Sequence, residues 1–162
     1  MQNKLSTWLW FTSGAEDAAK FYVSVFRNAK LGEITRASAG GEPHVTEGQV
    51  LTAEFTIEGQ QFFGLNGGEH SGAPSSDAVS FQILCDDQAE LDDYWSKLTA
   101  DGGREVQCGW LKDKYGLSWQ IVPKILPELM ADPDRAKAAR VTAAMMKMIK
   151  LDIAALQAAA RG

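Results

Sequence analysis

The chain has 162 residues, 45% of them hydrophobic, with 16 Lys+Arg against 21 Asp+Glu for a formal net charge of −5. That length suits one domain with a real core, and the acidic balance argues against a nucleic-acid partner. No apolar run reaches the roughly 18–20 residues of a membrane span, and two histidines are too few for a His-rich metal centre.

Taken in chain order, residues 5–11 read as a short strand. A helix follows from about Ala15, where Ala15, Ala18, Ala19, Tyr22, Val25 and Phe26 fall on one face. Ser13 is placed to cap it, with Glu16 and Asp17 favourable at its positive end. A strand is expected near residues 31–37, broken by the Gly/Pro stretch 39–43. Residues 50–58 form the clearest strand. Leu51, Ala53, Phe55 and Ile57 point one way, and Thr52, Glu54, Thr56 and Glu58 the other. Glu58-Gly59-Gln60 reads as a hairpin turn into a strand over 61–66. The Gly-, Ser- and Pro-rich residues 66–76 read as a joint.

The order then repeats. Val79, Phe81 and Ile83 alternate with Ser80 and Gln82 in a strand. Asp86-Asp87 opens a helix with Leu91, Tyr94, Trp95 and Leu98 on one face, and Gly102-Gly103 ends it. Short strands are expected near 110–113 and 118–122, joined by the turn Asp113-Lys114-Tyr115-Gly116. After Pro123 the chain turns Ala-rich and helical. Asp132-Pro133 reads as a cap followed by proline at the first helical position. That helix is expected to reach about Met148, with Val141, Met145 and Met148 on one stripe, and a second helical piece covers 153–160. The tail is expected to pack on the domain or on a partner subunit.

Phe21-Tyr22 in the first helix matches Tyr94-Trp95 in the second, and Glu58-Gly59…Phe62 matches Tyr115-Gly116…Trp119. Each half therefore reads β-α-β-β-β. A half alone would expose one face of its sheet. Two halves would set their sheets edge to edge, helices outside, with a trough between.

These paired units resemble the glyoxalase/bleomycin-resistance/dioxygenase (vicinal oxygen chelate) superfamily. Within it the chain is similar to the PhnB-like family, whose members carry the label "3-demethylubiquinone-9 3-methyltransferase domain". The similarity rests on Leu9-Trp10-Phe11 before Ala15-Glu16-Asp17-Ala18-Ala19-Lys20-Phe21-Tyr22, on Gly64-Leu65-Asn66-Gly67-Gly68, on Ser80-Phe81-Gln82, and on the run from Cys108-Gly109-Trp110 to Ser118-Trp119-Gln120. Asp132-Pro133-Asp134 and residues 151–156 look like the family as well. The resemblance implies an α+β fold of two βαβββ modules (about 4–67 and 77–123) in one domain over 1–123. A helical extension then covers 124–162.

In the superfamily, the sheet face away from the helices lines the cavity. Alternation then places Leu5, Leu9 and Phe11 under the first helix and Ser6, Trp8 and Trp10 toward the trough. Thr52, Glu54, Thr56, Ser80, Gln82, Ser118 and Gln120 also face it, while Trp119 and Ile121 enter the core. Metal-dependent members ligate their ion with His and Glu from the first and last strands of each half. The matching positions here fall near Trp8, Phe63, Ser80 and Gln120, and none is a good ligand. His44 and His70 fall in loops. No catalytic metal and no cofactor are therefore expected. The methyltransferase label also lacks its fold, which needs a parallel sheet with a Gly-rich loop after the first strand. Gly64-Leu65-Asn66-Gly67-Gly68 follows a strand but leads into a loop.

The expected function is to bind a small planar or partly aromatic molecule in the trough, with Trp8, Trp10, Thr52, Glu54, Phe63, Ser80, Gln82 and Gln120 as ligand-binding residues. The alternative is a metal-independent enzyme acting on a small carbonyl compound. There Glu54 would be the catalytic acid/base, its protonated form favoured by burial beside indoles; a solvent-facing strand glutamate is the plainer reading. A purely structural or partner-binding protein is a third reading. Gln120 could orient a carbonyl or form a cross-strand hydrogen bond. Asp113 and Lys112 read as turn cap and surface charge, Cys108 as a small buried residue. Superfamily members commonly pair, so a homodimer is expected. Two cysteines and an opening Met1-Gln2-Asn3-Lys4 without an apolar stretch set the cytoplasm as the expected location.

Overall fold

The computed structural model describes residues 5–38, 44–69 and 78–162, and its chain divides into two units, residues 1–73 and 74–162. The first unit holds β1 (Thr7–Phe11), α1 (Ala15–Val25), β2 (Ala29–Arg36), β3 (Val50–Ile57) and β4 (Gln60–Asn66). The strands lie in the order β1-β4-β3-β2, with β1 parallel to β4 and the other pairs antiparallel. The period-two pattern of β3 decides the packing: Ala53, Phe55 and Ile57 are buried. Their partners are the apolar stripe of α1, with Tyr22 stacked on Phe55 at 5.7 Å and Phe55 on Phe62 at 5.2 Å. Burying each such side chain contributes about 1.5–3 kcal/mol. Small residues let the helix lie close: a Cβ on Gly64 would sit 3.2 Å from that of Ala15.

Glu58 and Gly59 join β3 to β4 with φ of 48° and 79°. Two successive positive φ values match the twist of a two-residue hairpin. The edge strand β2 is largely exposed, and its register against β3 shifts between Leu31 and Ile34 and again between Thr35 and Arg36.

Two expectations fail here. Leu5 precedes β1 and is 86% exposed, so it does not pack under the helix. Ser13 does not cap α1: the N-cap is Gly14, with φ of 82° and no side-chain bond. The Ala15 N–H is instead accepted by Asn66 Oδ1 at 2.8 Å, while Asn66 Nδ2 donates to the Val50 carbonyl.

The second unit repeats the module as β5 (Phe81–Cys85), α2 (Gln88–Thr99), β6 (Arg104–Glu105), β7 (Trp110–Lys112) and β8 (Ser118–Pro123), with a 3-10 turn at Ala100–Gly102. Its strand order is β5-β8-β7-β6, again with the first pair parallel. Leu91, Tyr94, Trp95 and Leu98 of α2 are buried, as are Leu111, Trp119 and Ile121 of the sheet. Asp87 caps α2 by accepting the Glu90 N–H. Val79 lies before β5 and is 66% exposed, and the two-residue β6 has no counterpart in the sequence reading.

The tail carries α3 (Ile125–Met130), α4 (Arg135–Met145) and α5 (Ile153–Arg161). The cap of α4 is Asp134, which accepts from the Ala136 and Lys137 N–H groups, so Asp132-Pro133 lies just outside the helix. α4 stops at Met145, short of Met148, with Val141 buried and Met145 and Met148 half-buried. Leu151 and Leu156 are fully buried. The Cys108 and Gly109 N–H groups donate to the Met148 and Ile149 carbonyls, and Lys150 pairs with Asp92 at 2.7 Å. The tail is thus tied into the second unit. None of the described helices is long and apolar enough to cross a membrane.

Candidate functional site

The register of the first sheet sorts its open face into rows. Trp8 of β1 lies beside Phe63 of β4, and Phe63 beside Glu54 of β3. One step along, Trp10 lies beside Leu65, and Leu65 beside Thr52. Because Leu9 and Phe11 are taken into the core, Trp8 and Trp10 must project the other way, and they are 53% and 51% exposed. Trp8 stacks on Phe63 with centroids 4.6 Å apart and planes 13° apart. Its indole N–H donates to Ser6 Oγ at 3.0 Å. Trp10 donates its indole N–H to the Gly68 carbonyl at 3.1 Å, and its ring lies where a Cβ on Gly67 would have to go.

Glu54 is half-buried. Its Oε1 accepts from Gln61 Nε2 at 2.5 Å, and its side chain lies over Gly32 of β2. Phe63 stands between Glu54 and Trp8, so the carboxylate is flanked by a phenyl ring and an amide rather than directly by indoles. Sequence reasoning overlooked Gln61. Its signal is positional: it lies opposite Thr56, one diagonal step from Glu54 on the same face.

On the second sheet, Gln82 pairs with Gln120 across β5–β8, and Gln120 with Trp110 across β7–β8. Gln120 Nε2 donates to Ser80 Oγ at 2.9 Å, and Gln82 Nε2 lies 3.4 Å from Gln120 Oε1. The cross-strand bonding expected of Gln120 as its plainer role is present, and through it Gln120 links Ser80 to Gln82.

The remaining candidates take other places. Asp113 is buried and braces the β7–β8 hairpin: Oδ1 accepts the Tyr115 and Leu117 N–H groups and Oδ2 accepts the Trp119 indole N–H. Cys108 is half-buried rather than buried, with φ of 60° and its sulfur 3.7 Å from that of Met146. Cys85 is fully buried, and burial, aided by Glu90, Asp86 and Asp87, pushes its thiol up to about 12. His44 is exposed, with its ring beside the Gly68 backbone. His70 lies outside the described residues.

The four positions that would ligate a metal do not fit one. Trp8 and Phe63 offer stacked rings, and Ser80 and Gln120 offer a neutral hydroxyl and amide bonded to each other. Divalent ions in such sites need carboxylate or imidazole. Among the described residues, no group of three or more His, Cys, Asp or Glu side chains could hold an ion.

The profile of the 3-demethylubiquinone-9 3-methyltransferase family matches residues 3–122. Among solved structures, the chain is similar to a putative 3-demethylubiquinone-9 3-methyltransferase, PhnB protein, from Bacillus cereus, with 32% identity and a TM-score of 0.65 over 75% of this chain and 99% of that one. It is also similar to protein PA1353 from Pseudomonas aeruginosa, with 14% identity and a TM-score of 0.58 over 76% and 98% of the two chains. That second likeness is one of fold alone. No curated protein matches the chain. The two four-stranded βαβββ modules are those of the glyoxalase/vicinal oxygen chelate fold, and the chain belongs to the PhnB-like, 3-demethylubiquinone-9 3-methyltransferase-like family.

Proposed function

We propose that the protein binds a small planar or partly aromatic molecule on the open faces of its sheets, without a catalytic metal. The observation that carries this reading is the Trp8–Phe63 stack, a preformed aromatic platform left half exposed beside Trp10. An aromatic floor gives contact area, and a few polar groups give orientation. Glu54 and Thr52 supply those groups beside the platform on the first sheet, and the second sheet carries a polar row of its own in Ser80, Gln82 and Gln120. Titration with planar heteroaromatic compounds, read by tryptophan emission, is the test. Saturable quenching that Trp8→Ala weakens about tenfold supports the reading, since aromatic anchors are worth roughly 1–3 kcal/mol. Quenching untouched by Trp8→Ala overturns it. Near one equivalent of zinc, nickel, iron or manganese in the purified protein overturns the metal-free part.

A second reading, an enzyme with Glu54 as acid/base toward a small carbonyl compound, is favoured by one observation. The carboxylate is held by Gln61 on the same face as the platform. Glu54→Gln that abolishes turnover while sparing binding supports it. The family's methyltransferase label is not adopted. Neither sheet is a parallel one with a Gly-rich loop opening a helix, and Gly67-Gly68 instead seat the Trp10 ring. Micromolar calorimetric affinity for S-adenosylmethionine would reverse that judgement.

A further inference from the structure

We propose that the aromatic face of the first sheet selects a planar cation, a molecule whose ring system carries an amidinium or a protonated amine, and that Glu54 is the residue that selects it. This rests on the reading that Trp8 and Phe63 form a platform for a planar ligand, and it adds the ligand's charge.

The partners of the Glu54 carboxylate are the first argument. Its Oε1 accepts from the Gln61 amide, a neutral donor. Among the described residues, Glu54 forms no ion pair and its Oε2 accepts no hydrogen bond. The basic residue beside it in register, Lys30 opposite Thr56, is exposed and does not pair with it. An ionised carboxylate offers about four lone-pair sites, and Gln61 takes one of them. Glu54 is half-buried, which raises the cost of leaving the others without a cation. An amidinium edge donates two parallel N–H groups and fills them with charge-assisted hydrogen bonds.

The carboxylate is also held in place. Gln61 reaches it from β4, and Gly32 of β2 leaves room for it on the other side. A Cβ on Gly32 would lie 2.9 Å from Glu54 Cγ and 3.0 Å from its Cδ. The side chain thus leans toward β2 and away from Phe63, its neighbour on β4.

The rings set the same preference. Trp8, Phe63 and Glu54 form one row across β1, β4 and β3. With strands about 4.8 Å apart, the row is roughly 9–10 Å long, a span that two fused rings with a charged substituent bridge. The face of an aromatic ring is the negative side of its quadrupole and attracts a cation, indole most strongly. An anion would meet that face and the carboxylate together, on a chain of net charge −5.

The test is calorimetric titration of the full chain with 2-naphthamidine, 2-naphthamide and 2-naphthoate, which share one ring system and are cationic, neutral and anionic at neutral pH. Naphthamidine should bind about tenfold more tightly than naphthamide, the scale of one charge-assisted hydrogen bond, and naphthoate most weakly. Glu54→Gln should bring naphthamidine down to the level of naphthamide and leave naphthamide nearly unchanged. Asp93→Asn, which removes an exposed carboxylate paired with Lys97 in the second unit, should keep the parental preference. The ranking of the probes in the parent protein needs no variant, so the proposal can fail even if Glu54→Gln does not fold. Equal affinity for the three probes, each weakened by Trp8→Ala, overturns the charge selection and leaves the platform standing. Preference for naphthamidine that survives Glu54→Gln overturns the proposal, as does the absence of saturable binding by all three; if planar neutral heteroaromatics also fail to bind, the platform falls with it.

Discussion

The side-chain oxygen of Asn66 accepts the backbone N–H of Ala15 at 2.8 Å, joining the end of β4 to the start of α1. Its amide nitrogen donates to the Val50 carbonyl at 2.9 Å, so one side chain ties three elements. Asn66→Ala should cost about 2–3 kcal/mol, a lost helix cap plus an unsatisfied carbonyl. Asn66→Asp keeps the acceptor and should fall between the two. Urea unfolding with an unchanged m-value reads the difference.

Gln88 grips the tail from the first turn of α2. Its Nε2 donates to the Leu151 carbonyl at 3.1 Å and its Oε1 accepts the Ile153 N–H at 2.9 Å. Gln88→Ala leaves both backbone groups without this partner, at about 1–3 kcal/mol. Tryptic cleavage after Lys147 and Lys150 should accelerate, along with amide exchange at Ile153. Cleavage at the parental rate would show that the clamp does not hold the tail.

The two cysteines should separate by chemistry. A thiol reagent at pH 8 should label Cys108 well before the buried Cys85. The pH dependence follows from the raised Cys85 value. Its unfolded thiol ionises around the ordinary value of 9.0, while the folded one keeps its proton to about 12. Over that interval the unfolded state binds fewer protons, so stability falls as pH rises. The contribution is fully present below pH 9.0 and is lost by about 12. Cys85→Ala should flatten that part of the alkaline stability profile.

Gly67→Ala tests the seat of Trp10. The added Cβ would lie 2.2 Å from the indole, so the ring must move and its bond to the Gly68 carbonyl must break. Loss of about 1–2 kcal/mol is expected, with a shift in tryptophan emission. In a Trp10→Phe background the same change should leave the emission maximum unmoved.

Local pattern made most of the elements legible. The alternation of β3 alone assigned Ala53, Phe55 and Ile57 to the core and Glu54 to the open face, and Trp8 and Trp10 followed from β1 in the same way. What escaped depends on partners distant in sequence. Nothing near Ser13 announces that the cap of α1 comes from Asn66, and a two-residue strand such as β6 has too few side chains to show a period. At α4, Pro133 pointed to Asp132 as the cap, but two successive acids compete there, and Asp134 sits nearer the helix while Asp132 accepts the Asp134 N–H and pairs with Lys137. Alternation set the face of Glu54. Its hydrogen-bond partner and its neighbours needed the register of three strands.

The two register shifts of β2 bear on how the molecule avoids its own copies. A straight edge strand offers a ready ladder to any passing chain. Here the strand is irregular against β3 at Leu31/Ile34 and at Thr35/Arg36, which bends its free side as well, and Lys30, Glu33 and Arg36 are exposed along it. An added strand would have to iron out both irregularities and strip water from those charges. This rim of the first sheet is therefore a poor template for open-ended growth, and heat-driven clumping should begin at other surfaces.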